Sequence, residues 1–155
     1  MLNPKPLPPR HVESMSALLR NRKVSSVPID LQKAERFIFQ ASQTVAELPA
    51  LRVVQIKFDC AYNVIHDLGE AALAAYGFRT TSGVGQHVTV GDFLVILTAD
   101  GPYSTYAEDI SMYRNFRNQL RYSGNPIGSV QATEAVIAAE ELFKGIGEQL
   151  NYSGN

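Results

Sequence analysis

Between Leu51 and Tyr76 the apolar residues recur at intervals of three and four without a break: Leu51, Val54, Phe58, Ala61, Ile65, Leu68, Ala72 and Ala75. That spacing follows one face of an α-helix and fits no strand, whose faces alternate every second residue. A second apolar row, Val53, Cys60, Val64 and Ala71, widens the stripe. A helix apolar over so wide an arc is contacted from two sides, which predicts a central helix in a helical domain. Gly77 follows Tyr76 at the position where a helix commonly turns off.

The flanking segments supply its neighbours. Asp30 is a good N-cap for a helix with Leu31, Ala34, Ile38, Ala41, Val45 and Leu48 on one face. Ile29 and Ala34 are spaced as a hydrophobic staple, and Pro49 closes the helix. The stretch 79–88 reads as the longest internal loop, and Thr89 with Asp92 forms a capping box for a short helix over 90–98. Gly101 and Pro102 end that element. The spacing then predicts a helix over 104–122 with Tyr106, Ile110, Tyr113 and Leu120 inward, in which Arg117 occupies the position that completes the stripe. Turn residues at 122–126 precede a last helix over 129–150, with Ala132, Val136, Ala139, Phe143, Ile146 and Leu150 on one face. The expected fold is all-α: an up-down four-helix bundle with an extra short helix.

Residues 29–150 are assigned to the bundle and 151–155 to a C-terminal tail. Residues 1–28 are a Pro-rich basic N-terminal segment, expected to be extended or irregular apart from a short helix near 13–20. Through residue 29 there are five basic side chains against one acidic. The remainder carries nine basic against fourteen acidic, so charge is unevenly spread although the net charge is −1. A basic tail of this kind is a solvated end or a contact for an acidic partner. No run of apolar residues is long enough to span a bilayer, and the N-terminus has no apolar core of a secretory signal. The single cysteine, Cys60, forms no intramolecular disulfide and reads as a core thiol. Together these features predict a cytoplasmic protein with no membrane association.

The most informative stretch for function is 113–122. Arg114, Arg117 and Arg121 stand at i, i+3 and i+7 on one helical stripe, and no Asp or Glu occurs between Asp109 and Glu134. Guanidinium groups bind phosphates bidentately and Tyr122 could stack on a base, so this is the expected RNA-binding surface. The alternative is that these arginines pair with carboxylates of neighbouring helices. Arg117 on an otherwise apolar stripe requires a partner or a water-lined cleft.

With this helix in place, residues 29–150 resemble the HEPN superfamily, helical bundles of bacterial toxin–antitoxin and conflict systems. The resemblance rests on the long helix over 51–76, the Gly-containing loop after it, the short helix, the arginine-bearing helix and the final helix. It implies a homodimer whose two motifs share a cleft, a possible nucleotidyltransferase-like partner, and an arginine followed by a polar residue and then a histidine in members with ribonuclease activity. Arg117 and Asn118 match the arginine–polar pair, and Tyr122 stands five positions on where the histidine is expected. Arg117, Asn118 and Tyr122 are therefore the catalytic candidates that the resemblance supplies. A tyrosine is a poor base at neutral pH, which favours a non-catalytic or weakly catalytic RNA- or nucleotide-associated protein. The rival is a metal-independent endoribonuclease using Arg117 with Tyr122 or His66.

Other features carry less. His66-Asp67 lies within the central helix and lacks further ligands at metal-binding spacing, leaving His66 as a polar-face residue or an aid to the Arg117 cleft. Gly83-Val84-Gly85 follows no strand and lacks a third glycine, so it is no nucleotide fingerprint. Neither a cofactor nor a metal is expected.

Overall fold

The computed structural model describes residues 1–81 and 85–154. The central helix is α3 (Val54–Tyr76), which is buried along Phe58, Ala61, Tyr62, Val64, Ile65, Leu68, Ala71, Ala72 and Ala75. It packs against α2 (Leu31–Glu47) on one side and α7 (Ser129–Leu150) on another, and α4 (Gln86–Thr98) closes a third. The buried residues of α7 include Ala132, Ala135, Ala138 and Ala139, small side chains of the kind that allow helices to pack closely. The protein is thus an all-α bundle around the predicted helix.

Local signals explain the ends. The Asp30 carboxylate accepts a hydrogen bond from the Lys33 amide at 2.9 Å, capping α2 as its sequence predicts. Ile29 is 64% exposed while Ala34 is fully buried, so the two do not share one apolar environment as a staple would. A short 3₁₀ turn, Leu48–Ala50, uses Pro49 to leave α2. Gly77 ends α3 at φ +80°, a left-handed conformation in which a Cβ would also lie 2.9 Å from the Val27 carbonyl oxygen.

Three expectations are corrected. The N-terminal segment is more ordered than its prolines suggest: α1 spans Pro9–Arg20, with Pro9 at the first helical position, where its missing N–H costs nothing. The extended residues before it donate from Asn3 and Lys5 to the carbonyls of Leu150 and Gln149, satisfying the open end of α7. Leu2, Met15 and Val24 join the core. The short helix starts earlier than a Thr89 cap allows: Gly85 caps α4, and the Thr89 hydroxyl donates back to the Gly85 carbonyl inside its first turn. The helix predicted over 104–122 is two, α5 (Ser104–Glu108) and α6 (Ile110–Tyr122), broken at Asp109, where ψ is −6°. Aspartate competes with helical bonding, and here the Asp109 carbonyl accepts from both Met112 and Tyr113.

A two-stranded antiparallel ribbon pairs β1 (Val24–Ser26) with β2 (Phe78–Thr80), Val24 opposite Thr80. Three-residue strands are too short to show alternation. Among the described residues no helix is long and apolar enough to cross a membrane.

Candidate functional site

The arginine-bearing helix α6 lies against the first half of α3 and against α4. Phe58, fully buried, anchors it, meeting the rings of Tyr113 and Phe116 edge-on with centroids 6.4 Å away in each case. One turn further along α3, Tyr62 passes beneath Arg117, whose guanidinium carbon lies 5.3 Å from the ring centroid. This answers how a charge is tolerated on an inward stripe: the cation rests on an aromatic face. The Arg117 Nε atom is buried without a hydrogen-bond partner, and among the described residues no carboxylate forms an ion pair with Arg117 or Arg114. Arg121 behaves differently, pairing with Asp59 of α3. Of the three predicted phosphate contacts, one is committed to a structural ion pair and two stay open to an anion.

The same point gathers two imidazoles. His66 stands one turn beyond Tyr62 on α3, and His87 is the second residue of α4. Their ring centroids are 4.4 Å apart. The His87 ring also stacks on Tyr62, at 6.2 Å and 19°, with its Nδ1 3.4 Å from the Tyr62 hydroxyl. Glu70, one turn past His66, brings a carboxylate oxygen to 3.9 Å from His66 Nε2. Helices α3, α4 and α6 thus converge on Tyr62, His66, Glu70, His87 and Arg117.

Electrostatics favour neutral imidazoles. Burial lowers the His66 pKa from its ordinary value, and the Arg117 charge lowers it further. Burial is also the main influence lowering His87, helped by His66, Arg117 and Arg114 and opposed by Glu70. Burial pushes Glu70 up, against the pull of Lys33 and His87. It also raises Tyr62, against both Arg117 and Arg114, so the phenol stays protonated. A cluster of neutral imidazoles beside an uncompensated guanidinium can accept a proton and hold an anion together.

The sequence-predicted residues divide. Arg117 is at the centre and Arg114 at the margin. Asn118 is exposed, and Tyr122 is 82% exposed. Five residues along a helix is a rotation of about 140° from Arg117, so the tyrosine faces a different side from the guanidinium. His66 joins Arg117 as the sequence had suggested it could. The sequence pattern puts His87 in the 79–88 loop, whereas it is the second residue of α4. Cys60 is half-buried with its thiol pKa raised by burial and by Asp59, unlike an activated nucleophile. Of the glycine triplet, Gly83 and Val84 lie outside the described residues, while Gly85 is the α4 cap.

Asp67 turns away to α2, accepting from Gln40 Nε2 at 3.0 Å. Among the described residues no three His, Cys, Asp or Glu side chains are placed to hold a metal ion. Burial raises the Asp67 pKa to about 6 from 3.8. The folded state therefore binds more protons than the unfolded chain between those values, so its contribution to stability falls as pH rises from about 4 to 6. Asp67→Asn keeps an acceptor for Gln40 and removes the charge. Thermal melts at pH 4.5 and 7 are expected to show the variant gaining on wild type by a few degrees at the higher pH, on the order of 1 kcal/mol.

Hollows of a different character lie elsewhere. One of about 440 Å³ is bounded by Leu2, Phe39 and Tyr152, and one of about 490 Å³ by Leu7, Met15 and Tyr76. Their linings are mostly apolar and include no histidine, so they offer no comparable chemistry.

Compared with known proteins, the chain matches no family model, no curated protein and no solved structure.

Proposed function

We propose that this protein is a metal-independent endoribonuclease acting on single-stranded RNA through Arg117, His66 and His87. The observation that carries the reading is the juxtaposition of two imidazoles 4.4 Å apart beside an arginine without a carboxylate partner. Cleavage of RNA by its own 2′-hydroxyl needs a base for the hydroxyl proton, an acid for the departing 5′-oxygen, and a positive group for charge at phosphorus. His66, the more shielded ring, is held neutral and takes the 2′-hydroxyl proton as the 2′-oxygen attacks phosphorus. His87 is exposed and feels Glu70, so it is the ring better placed to carry a proton to the 5′-oxygen as the P–O5′ bond breaks. Arg117 offers its terminal nitrogens to the phosphate. The products are a 2′,3′-cyclic phosphate and a 5′-hydroxyl. Two histidines from other helices here stand in for the one absent at Tyr122.

The HEPN resemblance gives this chemistry its setting: a homodimer in a toxin–antitoxin or conflict system, with a nucleotidyltransferase-like protein as possible partner. A second reading, RNA or nucleotide binding without cleavage through Arg114, Arg117 and Tyr122, is favoured by the exposure of Tyr122 beside the basic helix.

Purified protein is expected to cleave a single-stranded RNA in EDTA, leaving cyclic phosphate ends, with His66→Ala and His87→Ala each lowering kcat by about 10²–10⁴-fold. Binding without cleavage, unchanged by either substitution, selects the second reading.

A further inference from the structure

We propose that Tyr62 is the positioning residue of this site, seating Arg117 on its ring and holding His87 through its hydroxyl so that both act on one phosphate. The inference rests on the catalytic reading above and deepens it. Tyr62 is 3% exposed, so it does not meet a substrate itself. Its two contacts come from different helices: the guanidinium of α6 at 5.3 Å from its centroid, and His87 Nδ1 of α4 at 3.4 Å from its oxygen. Among the described residues it is the one side chain of α3 with a contact to a functional group from each neighbour.

The two contacts do different work. The ring replaces part of the hydration that Arg117 loses on an inward stripe, and so fixes where its terminal nitrogens point. The hydroxyl explains why tyrosine stands where phenylalanine would fill the same space. The buried phenol oxygen lies within reach of His87 Nδ1 and accepts the proton that this nitrogen carries. Accepting from Nδ1–H fixes the tautomer, leaves Nε2 outward and favours the protonated ring that delivers the proton. The titratable groups around His87 are His66, Glu70 and Tyr62 from α3, with Arg117 and Arg114 from α6. Of the charged groups Glu70 favours its protonation, and the Tyr62 oxygen, accepting from Nδ1–H, adds to that side.

Tyr62→Phe keeps the seat of Arg117 and removes the hold on His87, whereas Tyr62→Leu removes both. The test uses the full chain with three readouts: the His87 ring followed by NMR against pH, cleavage of single-stranded RNA, and binding of a non-cleavable 2′-deoxy oligonucleotide. For Tyr62→Phe the expected results are a fall of about half a unit in the His87 midpoint and a fall of roughly tenfold in kcat, with oligonucleotide binding unchanged within about twofold. On a His87→Ala background the same substitution has no further effect, because it acts through that ring. Tyr62→Leu additionally weakens oligonucleotide binding about tenfold, and this extra loss vanishes when Arg117 is already alanine. An unmoved His87 midpoint in Tyr62→Phe overturns the proposal, and so does a kcat loss additive with His87→Ala. If wild type cleaves no RNA, the catalytic reading fails, while the titration and binding arms still decide whether Tyr62 holds these two groups.

Discussion

Arg117→Ala is expected to lower kcat/KM for single-stranded RNA by at least about a hundredfold, the usual effect of removing one preorganised group from the charge that develops at phosphorus. The loss should appear in binding as well, because nothing else in the cluster carries a fixed positive charge at its centre. Arg114 lies to the side and Arg121 is held by Asp59. Arg117→Lys should recover little: an ammonium neither lies flat on the Tyr62 ring nor presents a planar pair of donors. A second signature is independent of RNA. The Arg117 charge lowers the pKa of His66 and His87, so both rings should titrate at higher pH in Arg117→Ala. Cleavage within threefold of wild type, with both titrations unmoved, would show that the arginine only fills space.

Gly69→Ala should produce the largest loss of stability of any single methyl added to α3. A Cβ at Gly69 would lie 2.1 Å from Val90 Cγ1 and 3.3 Å from the Val90 carbonyl oxygen. The side chain can turn aside but the backbone oxygen cannot, so α3 and α4 must separate. Overpacking of this kind costs about 1–3 kcal/mol, a fall of several degrees in Tm for a chain of this length. The site should suffer with the fold, because Gly69 is three residues past His66 and Val90 three past His87. Both contacts therefore lie one turn from the paired rings. Calorimetry and cleavage assays on Gly69→Ala and on Gly69→Ala/Val90→Ala check this, the second variant recovering part of both losses by removing the clashing methyl. A neutral Gly69→Ala would mean that the two helices are not in the close contact described.

The fold was legible where hydrophobic period and capping chemistry agreed. The 3-4 stripe of 54–76, the Asp30 cap and the stripe of 129–150 each fixed an element and its buried face. It was least legible where a tertiary contact overrode a local signal. The proline-rich start looked unstructured because its partners, the terminal carbonyls of α7, lie at the other end of the chain. Thr89 and Asp92 had the spacing of a capping box, yet Gly85 offers the turn and lets α4 begin four residues sooner.

The candidate site shows the same division. Arg117 announced itself as a charge on an apolar stripe, a signal internal to one helix. Its relation to His66 and His87 depends on how α3, α4 and α6 cross, and no spacing within one helix encodes that. Tyr62 was silent for a different reason: at helical period it reads as one more large residue on the inward face. The same uncertainty over where α4 starts hid His87, which as a loop residue has no fixed neighbours and as the second residue of a helix does.

The most direct test of the central claim is the NMR response of the histidine rings to a 2′-deoxy oligonucleotide that can be bound but not cleaved. The rings of His66 and His87 should shift together on addition, saturating at one ligand concentration, while His11, on α1, stays unmoved. Both responses should disappear in Arg117→Ala. Shifts confined to Tyr122 and the exposed side of α6, with both rings silent, would contradict the account.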